Sequence, residues 1–253
     1  MFSNVIQFYL LTLSLGLGFF CYLANTKETG AGFMRVVMSL CAVSTGIALA
    51  FHIVNVGSIT LETILYAISF VSFVLVYLKH EDKKSKAMWF LYALSNLCLL
   101  GGFYLFMNKD LVNTLFAYAT TGFVGSVTYA MVMGHWYLVT PKLSEKPLKI
   151  ATLFIWATIL IKLAWTGYEY YQNMDMFEQG TAKGAGYMFN WVMLTMRVGW
   201  VYLGVGIMSI FGWRLVKMRS IQSATGIFYA MTFFVFGGEL FSIYFFFKYG
   251  LYL

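Results

Sequence analysis

Eight times along this chain of 253 residues, an apolar run recurs that is long enough to cross a lipid bilayer. The runs lie near 3–24, 33–56, 60–78, 87–107, 112–138, 148–170, 190–216 and 222–248. A hydrocarbon core of about 30 Å is spanned by about 20 apolar residues in a helix. None of the runs alternates with a period of two, as a barrel strand would. Backbone groups in hydrocarbon must bond within their own segment, so the runs read as α-helices. A water-soluble fold is excluded by composition, because 60% of the residues are hydrophobic and only 11% are charged, against about 25% charged in soluble domains. The expected fold is an all-α polytopic membrane protein, a single transmembrane domain over 1–253 with the lipid bilayer as its partner. Both prolines, Pro141 and Pro147, fall between the fifth and sixth runs, so the helices run without proline breaks.

Charge placement sets the expected orientation. Lys27 and Arg35 follow the first run, and Lys79, Lys83, Lys84 and Lys86 flank the connection after the third. Lys142, Lys146 and Lys149 follow the fifth, and Arg214, Lys217 and Arg219 lie between the seventh and eighth. The opposite side holds only Lys109, Lys183 and Lys248. By the positive-inside rule the basic side is cytoplasmic, both termini face outward, and the membrane is the cell membrane. The net charge of +7 is thereby accounted for without nucleic acid. The start of the chain has no basic segment followed by a small-residue cleavage site, so the first run reads as a retained helix.

The chain also resembles itself. Lys86 to Ser95 aligns with Ser223 to Thr232, and Gly101-Gly102 answers Gly237-Gly238. Ser72 answers Ser209, while Asn4, Tyr9, Thr12 and Gly16 answer Asn113, Tyr118, Thr121 and Gly125. The change in spacing is absorbed by the long connection 170–189, which is either a plain linker or a lid over an outward pocket. These correspondences predict two parallel four-helix halves, 1–110 and 111–253, related by an axis along the membrane normal. Small residues permit close helix approach in lipid, so Gly101, Gly102, Gly237, Gly238, Gly199, Gly204 and Gly206 are candidate contact points.

Three charges fall inside the runs: Lys162 in the sixth, Arg197 in the seventh and Glu239 in the eighth. A charge within the hydrocarbon costs about 3 kcal/mol or more and demands a reason. At a rise of about 1.5 Å per residue, all three lie roughly 10–13 Å from the outer ends of their helices. Consecutive antiparallel helices neighbour one another, so the three can meet at one level. Two readings follow, either a buried ion pair that locks three helices or a ligand-binding pocket with one surplus positive charge.

His52 lies near the outer end of the second run and His135 near the inner end of the fifth, so one haem b cannot be held by both. Either could still contact haem with a methionine partner, or a quinone; His135 also fits an interfacial aromatic belt with Trp136 and Tyr137. His80 lies in a charged loop. Cys21, Cys41 and Cys98 sit in apolar runs as packing residues, with no metal-ligand spacing. No nucleophile elbow, zinc helix, P-loop or dinucleotide fingerprint occurs, and the expected lack of a domain outside the bilayer weighs against an enzyme acting on soluble substrates, though not against lipid chemistry. Three functions are therefore expected to compete. The first is transport or ligand binding, at an outward-facing polar site between the sixth, seventh and eighth helices. The second is a redox membrane subunit holding haem or quinone, and the third a structural or assembly subunit with protein partners in a larger membrane complex.

Overall fold

The computed structural model describes residues 1–24, 26–79, 86–140, 143–181 and 186–253, with only the backbone of Thr26 and Lys27. His80, Lys83, Lys84, Lys142 and Lys183 lie outside the described residues. All regular structure among the described residues is helical. Among the described residues, eight helices are long and apolar enough to cross a membrane: α1 (Phe2–Leu23), α2 (Glu28–Val56), α3 (Leu61–Lys79), α4 (Lys86–Phe106), α5 (Leu111–Val139), α6 (Lys146–Gln172), α7 (Tyr187–Lys217) and α8 (Ile221–Tyr249).

Local chemistry sets several ends. Asp110 caps α5 by accepting the Asn113 amide at 2.8 Å, satisfying one of the orphan donors of a first turn. Pro147 sits in the first turn of α6, where its missing N–H breaks no helical bond. Gly250 ends α8 in the left-handed region at φ 69°, open to glycine without a Cβ penalty. α2 is kinked at Gly30, whose φ of 72° lies in the left-handed region open to glycine, and the middle of α7, Arg197–Val205, is π-helix between two α-helical stretches. Such π segments are rare and concentrate at functional sites.

Each helix packs on the next in sequence, α1 also packs on α4, and α5 on α8. The bundle is therefore two rings of four, joined chiefly through α1 against α5, with α1 also touching α8 and α4 touching α5. In α1 and α5, 72% of the span is buried, against 33–44% in the other six, so these two form the centre. The outside is apolar, with Phe90, Leu97, Leu160 and Phe233 all more than 60% exposed; that inversion suits a lipid solvent. At the end away from the termini, Glu145 bridges Lys149 at 2.6 Å and Arg219 at 2.7 Å. Bonds from these two cations hold its carboxyl below the usual carboxylate range.

The central contact depends on two glycines. A Cβ on Gly16 would lie 2.7 Å from Gly125 Cα, and one on Gly125 would lie 2.5 Å from Gly16 Cα. The candidate glycines divide sharply. A Cβ on Gly102 would strike the Tyr66 ring, and one on Gly238 would occupy the position of the Val201 side chain. Gly237, Gly199 and Gly206 meet nothing within 4 Å, and Gly101 and Gly204 have only ordinary neighbours, so these five are not contact points. A face of small residues is visible in a sequence, but the face that meets another helix is fixed only by rotation about the helix axis. Gly125→Val is expected to destabilise the protein by about 1–3 kcal/mol or more, as overpacking does, whereas Gly237→Ala leaves thermal stability unchanged or raised. Equal melting temperatures for the two variants would contradict this packing.

Candidate functional site

Four helices converge on one buried cluster. Glu239 follows Gly238 on α8, and the missing side chain at Gly238 lets Val201 of α7 press against that backbone. This proximity brings Arg197 Nη1 to 3.2 Å from the Gly238 carbonyl and 2.5 Å from Glu239 Oε1. From α6, Lys162 Nζ donates to Glu239 Oε2 at 3.0 Å and to Thr120 Oγ1 of α5 at 2.7 Å. It also lies 4.9 Å from the centroid of the Phe116 ring, close enough for a cation–π attraction. Lys162, Arg197 and Glu239 are 3%, 2% and 0% exposed. Sequence spacing expects these three at one depth, and the structure brings them into direct contact.

Sequence reasoning misses Tyr202, Thr166 and Thr120. Arg197 Nε donates to the Tyr202 hydroxyl at 3.0 Å, and that hydroxyl pairs with Thr166 at 2.8 Å. Arg197 and Tyr202 stand five residues apart, the repeat of a π-turn, so the π segment aligns them on one face. At α-helical period they would diverge, and so the pair is not legible from spacing. Thr120 and Thr166 look like any small residues in a transmembrane run.

Within the triad two cations face one anion, leaving one surplus positive charge. Arg197 Nη2 is buried and has no hydrogen-bond partner among the described residues. A guanidinium carries five donors in a fixed fork, and here part of that fork is unused. An unmet buried donor costs about 1–3 kcal/mol, and more when charged.

Apolar groups cover the cluster toward the terminal end of the bundle. Met176 and Phe177, from the connection after α6, pack with Leu194, Phe245, Leu251 and Leu253. Asn190 donates to the Met176 carbonyl at 2.9 Å, Trp191 to the Phe177 carbonyl at 2.8 Å, and the Ser242 hydroxyl to the Leu253 carbonyl. On the side away from the termini, an apolar groove of about 460 Å³ runs between α6 and α7; Tyr202 is among its lining residues.

The histidines lie apart from this cluster. His52 is buried, with Nδ1 paired to Gln7 at 3.1 Å and Nε2 to Thr60 at 3.1 Å. Ligation of an iron by His52 therefore requires breaking one of these bonds. His135 is exposed near the opposite end of the bundle, 3.3 Å from the Tyr229 hydroxyl. The three cysteines are buried free thiols; Cys21 Sγ lies 3.2 Å from Met34 Sδ and Cys41 Sγ donates to the Ser14 carbonyl. Comparison with protein-family models, with curated proteins and with solved structures finds no match to this chain.

Removing Glu239 alone strands two buried cations. Glu239→Leu is expected to lower stability by about 3–5 kcal/mol, and combining it with Lys162→Met and Arg197→Met to recover much of that loss. Chemical denaturation in detergent measures both. A triple variant no more stable than the single one would mean that the ion pairs do not hold these helices.

Proposed function

We propose that this chain is an integral membrane protein that binds an anionic or strongly hydrogen-bond-accepting ligand at Lys162, Arg197 and Glu239, and that it serves ligand capture or transport. One observation carries the reading: a sealed cluster with one surplus cation whose Arg197 Nη2 lacks a partner. A helix clamp needs only matched charges, and a second buried cation adds desolvation without adding an anion to pair it. One anionic ligand supplies both the missing acceptor and the missing charge.

The cluster belongs to the second of two parallel halves, 1–110 and 111–253. The contact pattern supports this, since each half forms its own closed ring of four helices. Gly16 and Gly125, equivalent in the alignment, touch each other, as residues on a twofold axis must. Tyr9 packs on Phe236 across α1 and α8, and Tyr118 donates to the Leu100 carbonyl across α5 and α4, at matching positions. Tyr66, which donates to the Gly102 carbonyl, answers Tyr202, whose chain neighbour Val201 abuts Gly238. The spacing from Tyr66 to Ser72 is one residue shorter than from Tyr202 to Ser209, which fits the one-residue insertion a π segment makes. The first half carries Leu61 and Phe103 where the second has Arg197 and Glu239, so the charged site is peculiar to the second half.

Orientation follows from the basic loops, with both termini outside the cell membrane and the cluster in the outer half of the bilayer. A reporter that works only in the cytoplasm, fused after Leu253, should be silent; an active fusion would reverse the topology.

Binding is tested by thermal unfolding of the purified protein with sodium acetate, benzoate or phosphate, each at matched ionic strength, with benzamide as the neutral control. At least one anion should raise the melting temperature saturably, by the equivalent of about 2.7 kcal/mol at a hundredfold excess over Kd. The rise should vanish in Arg197→Met, which removes the unpartnered Nη2 and leaves Lys162 and Glu239 as a charge-matched pair. No response to any of the three anions would return the cluster to a purely structural role, in an assembly or redox subunit.

A further inference from the structure

We infer that the ligand is a single-chain amphiphile with a monoanionic head, of the fatty-acid type, and that it enters from the bilayer between α6 and α7. The inference rests on the anion-binding reading above and adds the chemical class and the route.

The first support is what lies on either side of the cluster. Toward the terminal end, Met176, Phe177, Leu251 and Leu253 are each no more than 7% exposed. They form an apolar cap that a hydrated anion would have to cross. Toward the other end lies the groove between α6 and α7, of about 460 Å³. That volume falls within the usual range of about 300–1,000 Å³ for small-molecule sites. It is lined from α6 by Trp156, Ile159 and Leu160, and from α7 by Tyr202, Gly206 and Ile207 among others. At about 1.5 Å per residue, Trp156 lies roughly 9 Å along α6 from Lys162. A hydrocarbon tail in the groove thus hangs directly below a head group at the cluster.

The second support is how groove and cluster join. Tyr202 lines the groove, and its hydroxyl accepts from Arg197 Nε at 3.0 Å. It is the wall between the two, and a head group reaches Arg197 when Tyr202 swings aside. The third support is the opening itself. Gly206 meets nothing within 4 Å, so the absence of its side chain leaves room in the groove. Leu160, Leu203 and Ile207 are 66%, 60% and 55% exposed, which leaves the groove open sideways to lipid. Charge complementarity selects the head: one surplus cation calls for one negative charge, and a carboxylate presents two oxygens to a guanidinium fork.

The test uses the full chain in lipid nanodiscs with palmitate carrying a mid-chain diazirine as photoprobe, read by peptide mass spectrometry. Saturable labelling is expected on the α6 and α7 groove residues, displaced by unlabelled palmitate and not by hexadecanol. Gly206→Phe, which fills the groove without touching the cluster, should weaken labelling about tenfold or more, a loss of about 1.4 kcal/mol. Gly206→Leu, a smaller filling, repeats the test if the phenylalanine variant fails to fold. Both variants should keep the thermal shift given by the small anion. Labelling that hexadecanol displaces equally, or that survives both fillings, would overturn the amphiphile assignment. A thermal shift with benzoate but no palmitate labelling would do the same while leaving anion binding intact; loss of both removes the two readings together.

Discussion

A carboxylate held between two cations in hydrocarbon governs this structure. Glu239 receives Arg197 on one oxygen and Lys162 on the other, at 2.5 and 3.0 Å. None of the three has water to fall back on, so each depends on the others for solvation. Their helices, α6, α7 and α8, are thereby fixed in depth and rotation relative to one another. Thr120 extends the same network to α5, the helix at the centre of the molecule. Van der Waals packing joins helices in lipid without a hydrophobic drive of its own, so a polar lock of this strength sets the register of the second half.

The two four-helix rings solve the packing problem differently. In the first, neutral groups do the work: Gln7 holds His52, and Tyr66 reaches the Gly102 carbonyl. In the ring of α5 to α8, the triad and a π-helical distortion of α7 take that place. Distortion and charge coincide because the π segment is what turns Arg197 and Tyr202 toward the same interior face. A regular helix would keep its backbone bonds at lower strain but would separate the guanidinium from its hydroxyl partner. The site is therefore built from a local departure from ideal helix geometry.

Much of the architecture was legible in the sequence. The eight spans follow from run length and hydrophobicity alone, because lipid admits so few backbone solutions. The depth of Lys162, Arg197 and Glu239 follows from a constant rise per residue. Rotation about each helix axis was not legible, and that is why Gly237 and Gly199 looked like contact residues but face open space. The same blindness hid Tyr202, whose partnership with Arg197 depends on a π period that no apolar pattern announces. The close approach of Gly16 and Gly125 was visible only as an equivalence between two segments, and its meaning as a contact required the fold. The connection after α6 reads in sequence as either a plain linker or a lid, and only the fold places Met176 and Phe177, which pack inward with Leu194 and Phe245.

The central claim is that the triad carries a surplus charge which an external anion completes. The most direct measurement is a density map of the protein in native-lipid nanodiscs, examined around Arg197 Nη2. The account predicts non-protein density within hydrogen-bond distance, about 2.7–2.9 Å, of that nitrogen, continuing as a chain along the groove between α6 and α7. A map in which Nη2 is bonded to a protein carbonyl or an ordered water, with the groove filled only by loosely ordered lipid, would contradict it.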